Sequence, residues 1–257
     1  MTFEKIYIIA FYTFKEILKS KILLNVFFAG IALMVVTYVA TEFTYGVPER
    51  VTLDFGLGML SLSSLGISLF LGVGLLSKEI DSRTVYMIIA RPVPRYAFIV
   101  GKLIGLMGIQ FINVLLLSLM TLAITSFLGG EINSLIFWAI GFIFLESLML
   151  LLVVVLMSLI ANNILSTLIT LVILLLGHAV KETQNVLFVK NNPAIEELLK
   201  FYHFVLPGFY KLNLKDFIIY KTSLPFSYLG SSLIYGILYS AFLLCMIIFL
   251  FNRKNLD

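Results

Sequence analysis

Apolar residues gather along this chain in blocks of about 20, the length a helix needs to cross a bilayer at 1.5 Å per residue, with short polar breaks between them. The blocks predict six spanning helices, at 22–40, 53–76, 98–127, 135–160, 164–180 and 228–251. The breaks are short: a polar loop at 41–52 holding Pro48-Glu49-Arg50, a tight turn at Gly129-Gly130-Glu131, and a minimal link at Ala161-Asn162-Asn163. Only 181–226 is long, and its polarity is mixed. The second block is rich in Gly and Ser, small residues that let helix backbones approach closely in lipid. Ahead of the first span, Phe3, Ile6, Tyr7, Ala10, Phe11, Phe14, Ile17 and Leu18 recur at helical spacing. Glu4, Lys5, Thr13, Lys15, Glu16 and Lys19 fall mainly on the other side, so 1–21 reads as an amphipathic helix lying in the membrane interface.

Composition agrees with this pattern. The chain has 257 residues, 61% of them apolar and 12% charged, where a soluble domain carries about 25% charge. No linker divides it, so 1–257 is one all-α, polytopic membrane domain. Basic residues cluster at particular span ends: Lys5, Lys15, Lys19 and Lys21; Lys78, Arg83, Arg91, Arg95 and Lys102; Arg253 and Lys254. With six spans all three clusters share one side, which the positive-inside rule makes cytoplasmic, with both termini inside and the chain in the plasma (inner) membrane. The opposite short loops offer Arg50 against Glu42, Glu49 and Glu131. Six lysines in 181–226 run against the pattern, but long outer segments obey the rule weakly. The net charge of +4 suits anionic lipid headgroups better than nucleic acid. The lone Cys245 permits no internal disulfide, and no small-residue cleavage site follows the first apolar run.

The stretch from Ser77 to Pro92 has its own logic. Ser77 suits a helix N-cap, Glu79 and Asp81 fill a first turn, and a helix normally stops before proline. About three turns is too short to span. Ile80, Tyr86 and Ile89 share a stripe, predicting a helix at 78–91 laid across the cytoplasmic ends of the spans.

Glu79, Asp81 and Arg83-Thr84, then Arg91-Pro92-Val93-Pro94-Arg95 and Gly101-Lys102, resemble the coupling region of ABC-2 type transporter permeases. Residues 13–23 resemble that family's interfacial helix and first span, and Leu206-Pro207-Gly208-Phe209 with Leu212-Asn213-Leu214 resembles the segment before its last span. The branch that matches best is similar to the permeases of the nitrous-oxide-reductase maturation system, from which Pro94 and Gly208 depart. The resemblance implies a permease paired with a second copy or a related subunit, carrying two ATPase subunits, with a periplasmic partner as a further option. Glu79, Asp81, Arg83, Thr84 and Tyr86 would seat in the ATPase, while Arg91, Arg95 and Lys102 would serve either that interface or headgroup phosphates. The resemblance also assigns short outer helices before the last span. There Ile195, Leu198 and Pro207 form either an outer gate or an interfacial packing surface.

The chain itself is not expected to be an enzyme or to bind a cofactor. Leu103 follows Gly101-Lys102 and Tyr96 stands where a P-loop's first glycine would be, so ATP and Mg belong to the partner. Glu146 falls mid-span, where an ionisable group costs about 3 kcal/mol and faces a protein interior. It is either a pathway or proton-linked group, or a protonated carboxyl bonded to a neighbouring helix. His178 reads as a polar anchor rather than a metal ligand, since His203 is the only other histidine. The nine methionines read as packing. An intramembrane hydrolase would need a nucleophile with its base, or paired aspartates, at membrane depth, and the predicted spans hold no pair of aspartates, only Asp54 at the edge of the 53–76 block. A membrane scaffold that merely docks a soluble protein is the remaining alternative.

Overall fold

The structure is a computed structural model that describes residues 2–19, 23–43, 48–81, 94–183, 206–219 and 224–253. Eight α-helices follow in order among them: α1 Thr2–Leu18, α2 Leu23–Phe43, α3 Pro48–Asp81, α4 Arg95–Phe127, α5 Ser134–Ile160, α6 Asn163–Thr183, α7 Lys215–Ile219 and α8 Phe226–Arg253, with a 3₁₀ turn at Phe209–Lys211. α3, α4, α5 and α8 are long and apolar enough to cross a membrane, which marks the chain as a membrane protein. The apolar stretches of α2 (Phe28–Val39) and α6 (Asn163–Ala179) are shorter.

Local sequence explains the boundaries. α4 ends where Gly129 adopts φ 78°, and the next amide, Gly130 N–H, donates back to Thr125 O at 2.9 Å. Asn162 opens α6 by accepting from Leu165 N–H at 3.1 Å. Two boundaries differ from expectation. The described part of the 41–52 stretch is helical: residues 41–43 belong to α2 and 48–52 to α3. Nor does a new helix begin at Ser77, because α3 continues unbroken to Asp81. Continuing adds a backbone hydrogen bond per residue, whereas a cap helps only where a helix must start.

α5 is the centre of the bundle. Its residues from Met149 to Val155 are all buried, and it packs on α3, α8, α6 and α4. One end of the bundle brings together Phe98 and Phe251, stacked at 6.2 Å, and Arg95, whose Nη1 donates to Asn252 O at 3.4 Å. The other end brings Gly130 against Glu49 and joins α7 to α3 and α5.

α1 does not keep to the division its sequence predicts. It runs alongside the first turns of α4, with Gly101 under Ile6 and Ile9, Gly105 under Ala10 and Thr13, and Gly108 under Phe14. Thr13, assigned to the polar side, is therefore buried, while Phe3, Tyr7 and Phe11 are exposed. The glycines decide this: they offer a groove that admits a backbone, and α1 turns its smaller residues into it. A Cβ on Gly105 would sit 2.8 Å from Ala10 O. Gly105→Ala is accordingly expected to lower the unfolding midpoint of the detergent-solubilised protein. Gly141→Ala, which meets nothing within 4 Å, is expected to leave it unchanged or raise it.

Candidate functional site

A polar seam joins α3, α4 and α5 in the interior. Ser63 Oγ donates to Asn113 Oδ1 at 3.1 Å, Asn113 Nδ2 to Ser64 Oγ at 3.2 Å, and Gln110 Nε2 to Ser64 O at 2.8 Å. Ser68 Oγ reaches Ser147 O at 2.8 Å. Side-chain hydrogen bonds of this kind hold helices together where lipid gives no hydrophobic incentive to associate. Gly72, whose Cβ would lie 2.8 Å from Val154, keeps α3 and α5 close along the same line.

Next to Ser147, Glu146 is 4% exposed, and its Oε1 lies 3.2 Å from Nε2 of His178 on α6. The contact is within ion-pair distance. The other ring nitrogen, Nδ1, is 3.1 Å from Leu174 O. A carbonyl oxygen only accepts, so Nδ1 carries a hydrogen, and a neutral ring then has a bare Nε2. Two bare acceptors would repel, so one proton belongs between Glu146 and His178, either on the carboxyl or on Nε2. Both forms leave the pair without net charge.

The described residues 206–219 fold back onto this pair. The His178 ring stacks on Phe209 at 5.9 Å and 17°, and Phe209, Leu212 and Leu214 are buried. Gly177 leaves room for Pro207 and Phe209. On the far side, Gly208 N–H donates to the Tyr235 hydroxyl at 2.8 Å, and Lys211 Nζ sits 4.2 Å above the Tyr235 ring. Burial lowers the Lys211 pKa, a cost that the ring face offsets. Asn213 Oδ1 accepts from Lys215 N–H at 3.1 Å to start α7, and Lys215 Nζ reaches Asp54 on α3 at 2.7 Å. Both members of that pair are more than one third exposed, so Asp54→Asn is expected to cost about 1 kcal/mol or less in a thermal unfolding assay.

Between these elements lies a cavity of about 260 Å³, lined by Ser61, Glu146, His178, Asn213 and Lys215 together with apolar side chains such as Leu57 and Ile143. A larger cavity of about 780 Å³ opens at the same end of the bundle, bordered by Glu49, Arg50, Glu131, Trp138 and Phe217.

Of the residues read from sequence, Glu146 lies at the cavity, and Pro207 lies on the segment that closes over it. Glu79 and Asp81 fall in the last turn of α3. Arg95 opens α4 at the opposite end, and Lys102 Nζ stands 5.8 Å over the Phe98 ring. Arg83, Thr84, Tyr86 and Arg91, and the outer pair Ile195 and Leu198, lie outside the described residues. His178 joins Glu146 rather than standing as an isolated anchor. Asp54, Lys215, Gln110 and Asn113 were not singled out in sequence. A signal existed for the amides: Gln110, Asn113, Thr121 and Thr125 follow one helical stripe of an otherwise apolar span, and all are buried. Among the described residues no three His, Cys, Asp or Glu side chains stand together as a metal site. Compared with known protein families and curated proteins, the chain matches no family model and no curated sequence.

Proposed function

We propose that the chain is the membrane-spanning permease subunit of an ATP-binding-cassette transporter, an exporter that crosses the membrane six times with both termini in the cytoplasm. The observation that carries the reading is the path of α3. At its inner end it runs into the charged 78–95 segment, which has the character of a docking surface for a soluble motor. Over its 34 residues, about 51 Å, it then passes the seam and the cavity and ends beside Asp54, which holds Lys215. A helix of that length moves as a rod, so force applied at Asp81 reaches the segment that covers Glu146 and His178. On this reading two partner ATPase subunits bind and hydrolyse ATP with Mg. Their closure presses on 78–91, and the permease, paired with a second copy or a related subunit, rearranges around the cavity.

A second reading draws on the larger outer cavity bordered by Glu49, Arg50 and Glu131. A polar surface there would let the same lever act on a periplasmic partner with no transported solute. Co-purification from native membranes tests the common element. The tagged chain is expected to bring down a P-loop ATPase and to change its ATP hydrolysis, and Glu79→Ala and Arg83→Ala are expected to weaken both effects. Unchanged complex formation and hydrolysis in both variants would reject the coupling role of this segment.

A further inference from the structure

α8 is the least buried of the four long apolar helices. It meets α5 closely at Gly236, where a Cβ would run into the Leu145 side chain. From that contact toward the Glu49 end of the bundle, a groove of about 500 Å³ runs between the two helices. Its walls are Phe137, Phe144 and Leu145 of α5 with Leu233 and Ile237 of α8, and Gly141 lies exposed along it. Apart from Ser134 at its mouth, the lining is aliphatic and aromatic. From Ser134 to Leu145 it covers about 16 Å at 1.5 Å per residue, half of a hydrocarbon core about 30 Å thick. Gly72, Gly105 and Gly177 are places where protein packs on a glycine, whereas a Cβ on Gly141 meets nothing within 4 Å. A glycine there costs helix propensity and gives no protein neighbour room.

The groove runs into the cavity of about 780 Å³, for Ser134 and Trp138 border both. Trp138 stands at the junction, its ring set edgewise to Phe142 at 5.8 Å and to Phe226 at 6.0 Å. An indole suits the place where hydrocarbon gives way to polar surroundings. The cavity supplies those surroundings: Glu49 and Arg50 from α3, Glu131 from the turn before α5, and Asn133 at the α5 N-cap. α7 and α8 contribute apolar side chains such as Phe217 and Leu229. Both volumes fall within the about 300–1,000 Å³ of ordinary ligand sites. A water-soluble solute has no use for a groove at membrane depth, and a plain hydrocarbon has none for a charged mouth. An amphiphile uses both. Its head must also meet both signs. A purely anionic head faces Glu49 and Glu131, a purely cationic one faces Arg50, and a zwitterion pairs with each.

We propose that the groove and the cavity together bind one zwitterionic lipid amphiphile from the bilayer leaflet at the Glu49 end. Its head occupies the cavity, with the negative group on Arg50 and the ammonium facing Glu49 and Glu131. One hydrocarbon chain descends past Trp138 and Gly141 and stops where α8 closes on α5 at Gly236. Apolar contact along the groove holds the chain, and ion pairing at the mouth selects the head. The site rests on the packing of α3, α5 and α8, and it stands whether or not a motor subunit binds the 78–95 segment.

Trp138 is the chain's one tryptophan, so its fluorescence reports on this junction without any label. The test places the full chain in phosphatidylglycerol nanodiscs and adds lysophosphatidylcholine brominated on its chain, since bromine quenches an indole that it touches. Quenching is expected to saturate at low mole fraction of the guest. A brominated lysophosphatidylglycerol and a brominated alkyltrimethylammonium are expected to quench only in proportion to their share of the bilayer. Gly141→Leu, which fills the groove, is expected to turn the saturating curve into a proportional one. Arg50→Glu is expected to raise the half-saturating mole fraction at least about tenfold. Arg50 is exposed, which keeps the test decisive should Gly141→Leu fail to fold. Proportional quenching by the zwitterion, equal saturation by all three heads, or saturation unchanged in either variant would overturn the proposal. Saturation retained by a chain that brings down no ATPase would uphold the site and reject the transporter reading.

Discussion

Gly177→Ala is expected to unseat the 206–219 segment and to be the most damaging single-carbon change in the described structure. A Cβ there meets the carbonyl oxygen of Pro207, and the Phe209 ring lies 2.6 Å away. The first obstacle is backbone, which cannot rotate aside as a side chain can. Phe209 is fully buried and its ring stacks on His178, so displacing it also disturbs the Glu146 pair. Overpacking of a tight interior costs about 1–3 kcal/mol, and the upper end applies when the obstacle is main chain. A fall in the thermal unfolding midpoint, with faster proteolysis within 206–219, is the expected measurement. Gly66→Ala, which meets nothing within 4 Å, is the matched control. Equal midpoints for the two variants would mean that the segment does not rest on Gly177.

The second large effect is expected at the Glu146–His178 pair. His178→Ala removes the group that shares a proton with a carboxyl 4% exposed, and also the ring beneath Phe209. Breaking a buried pair by deleting one partner costs about 3–5 kcal/mol, because the survivor keeps its desolvation penalty. His178→Gln with Glu146→Gln together removes both ionisable groups and is expected to be less destabilising than the sum of the two single changes. A double-mutant cycle by denaturant titration in detergent measures the coupling directly. Strictly additive values would show that the 3.2 Å contact contributes nothing.

Much of the bundle was legible in the chain. The blocks at 98–127 and 135–160 match α4 and α5 within a few residues, and the turn at Gly129-Gly130 falls where the pattern puts it. Errors came where a local signal competed with a longer one. Ser77 carries every mark of a cap, yet the helix already running from Pro48 passes through it. On α1 the apolar stripe was visible, but which part of it meets protein was not, because that choice depends on the glycine groove of α4.

The candidate site divides along the same line. Glu146 could be singled out by itself, since a lone ionisable residue in an apolar run is conspicuous and costly wherever it ends up. Its partner could not. His178 sits on another helix, and Asp54 and Lys215 stand in stretches whose polarity looks ordinary for span ends.

Sequence alone therefore settled that this is a helical membrane protein, and roughly where its long apolar helices lie. In a bilayer every backbone N–H and C=O must be satisfied within its own segment, so helix formation is decided locally. The tertiary structure decided which side chains meet: the seam of Ser64, Gln110 and Asn113, the pairing of Glu146 with His178, and the inward fold of Pro207–Lys215 above them. Those meetings depend on the rotation and crossing of several helices at once, fixed by small residues such as Gly72, Gly105 and Gly177. No one segment contains that information.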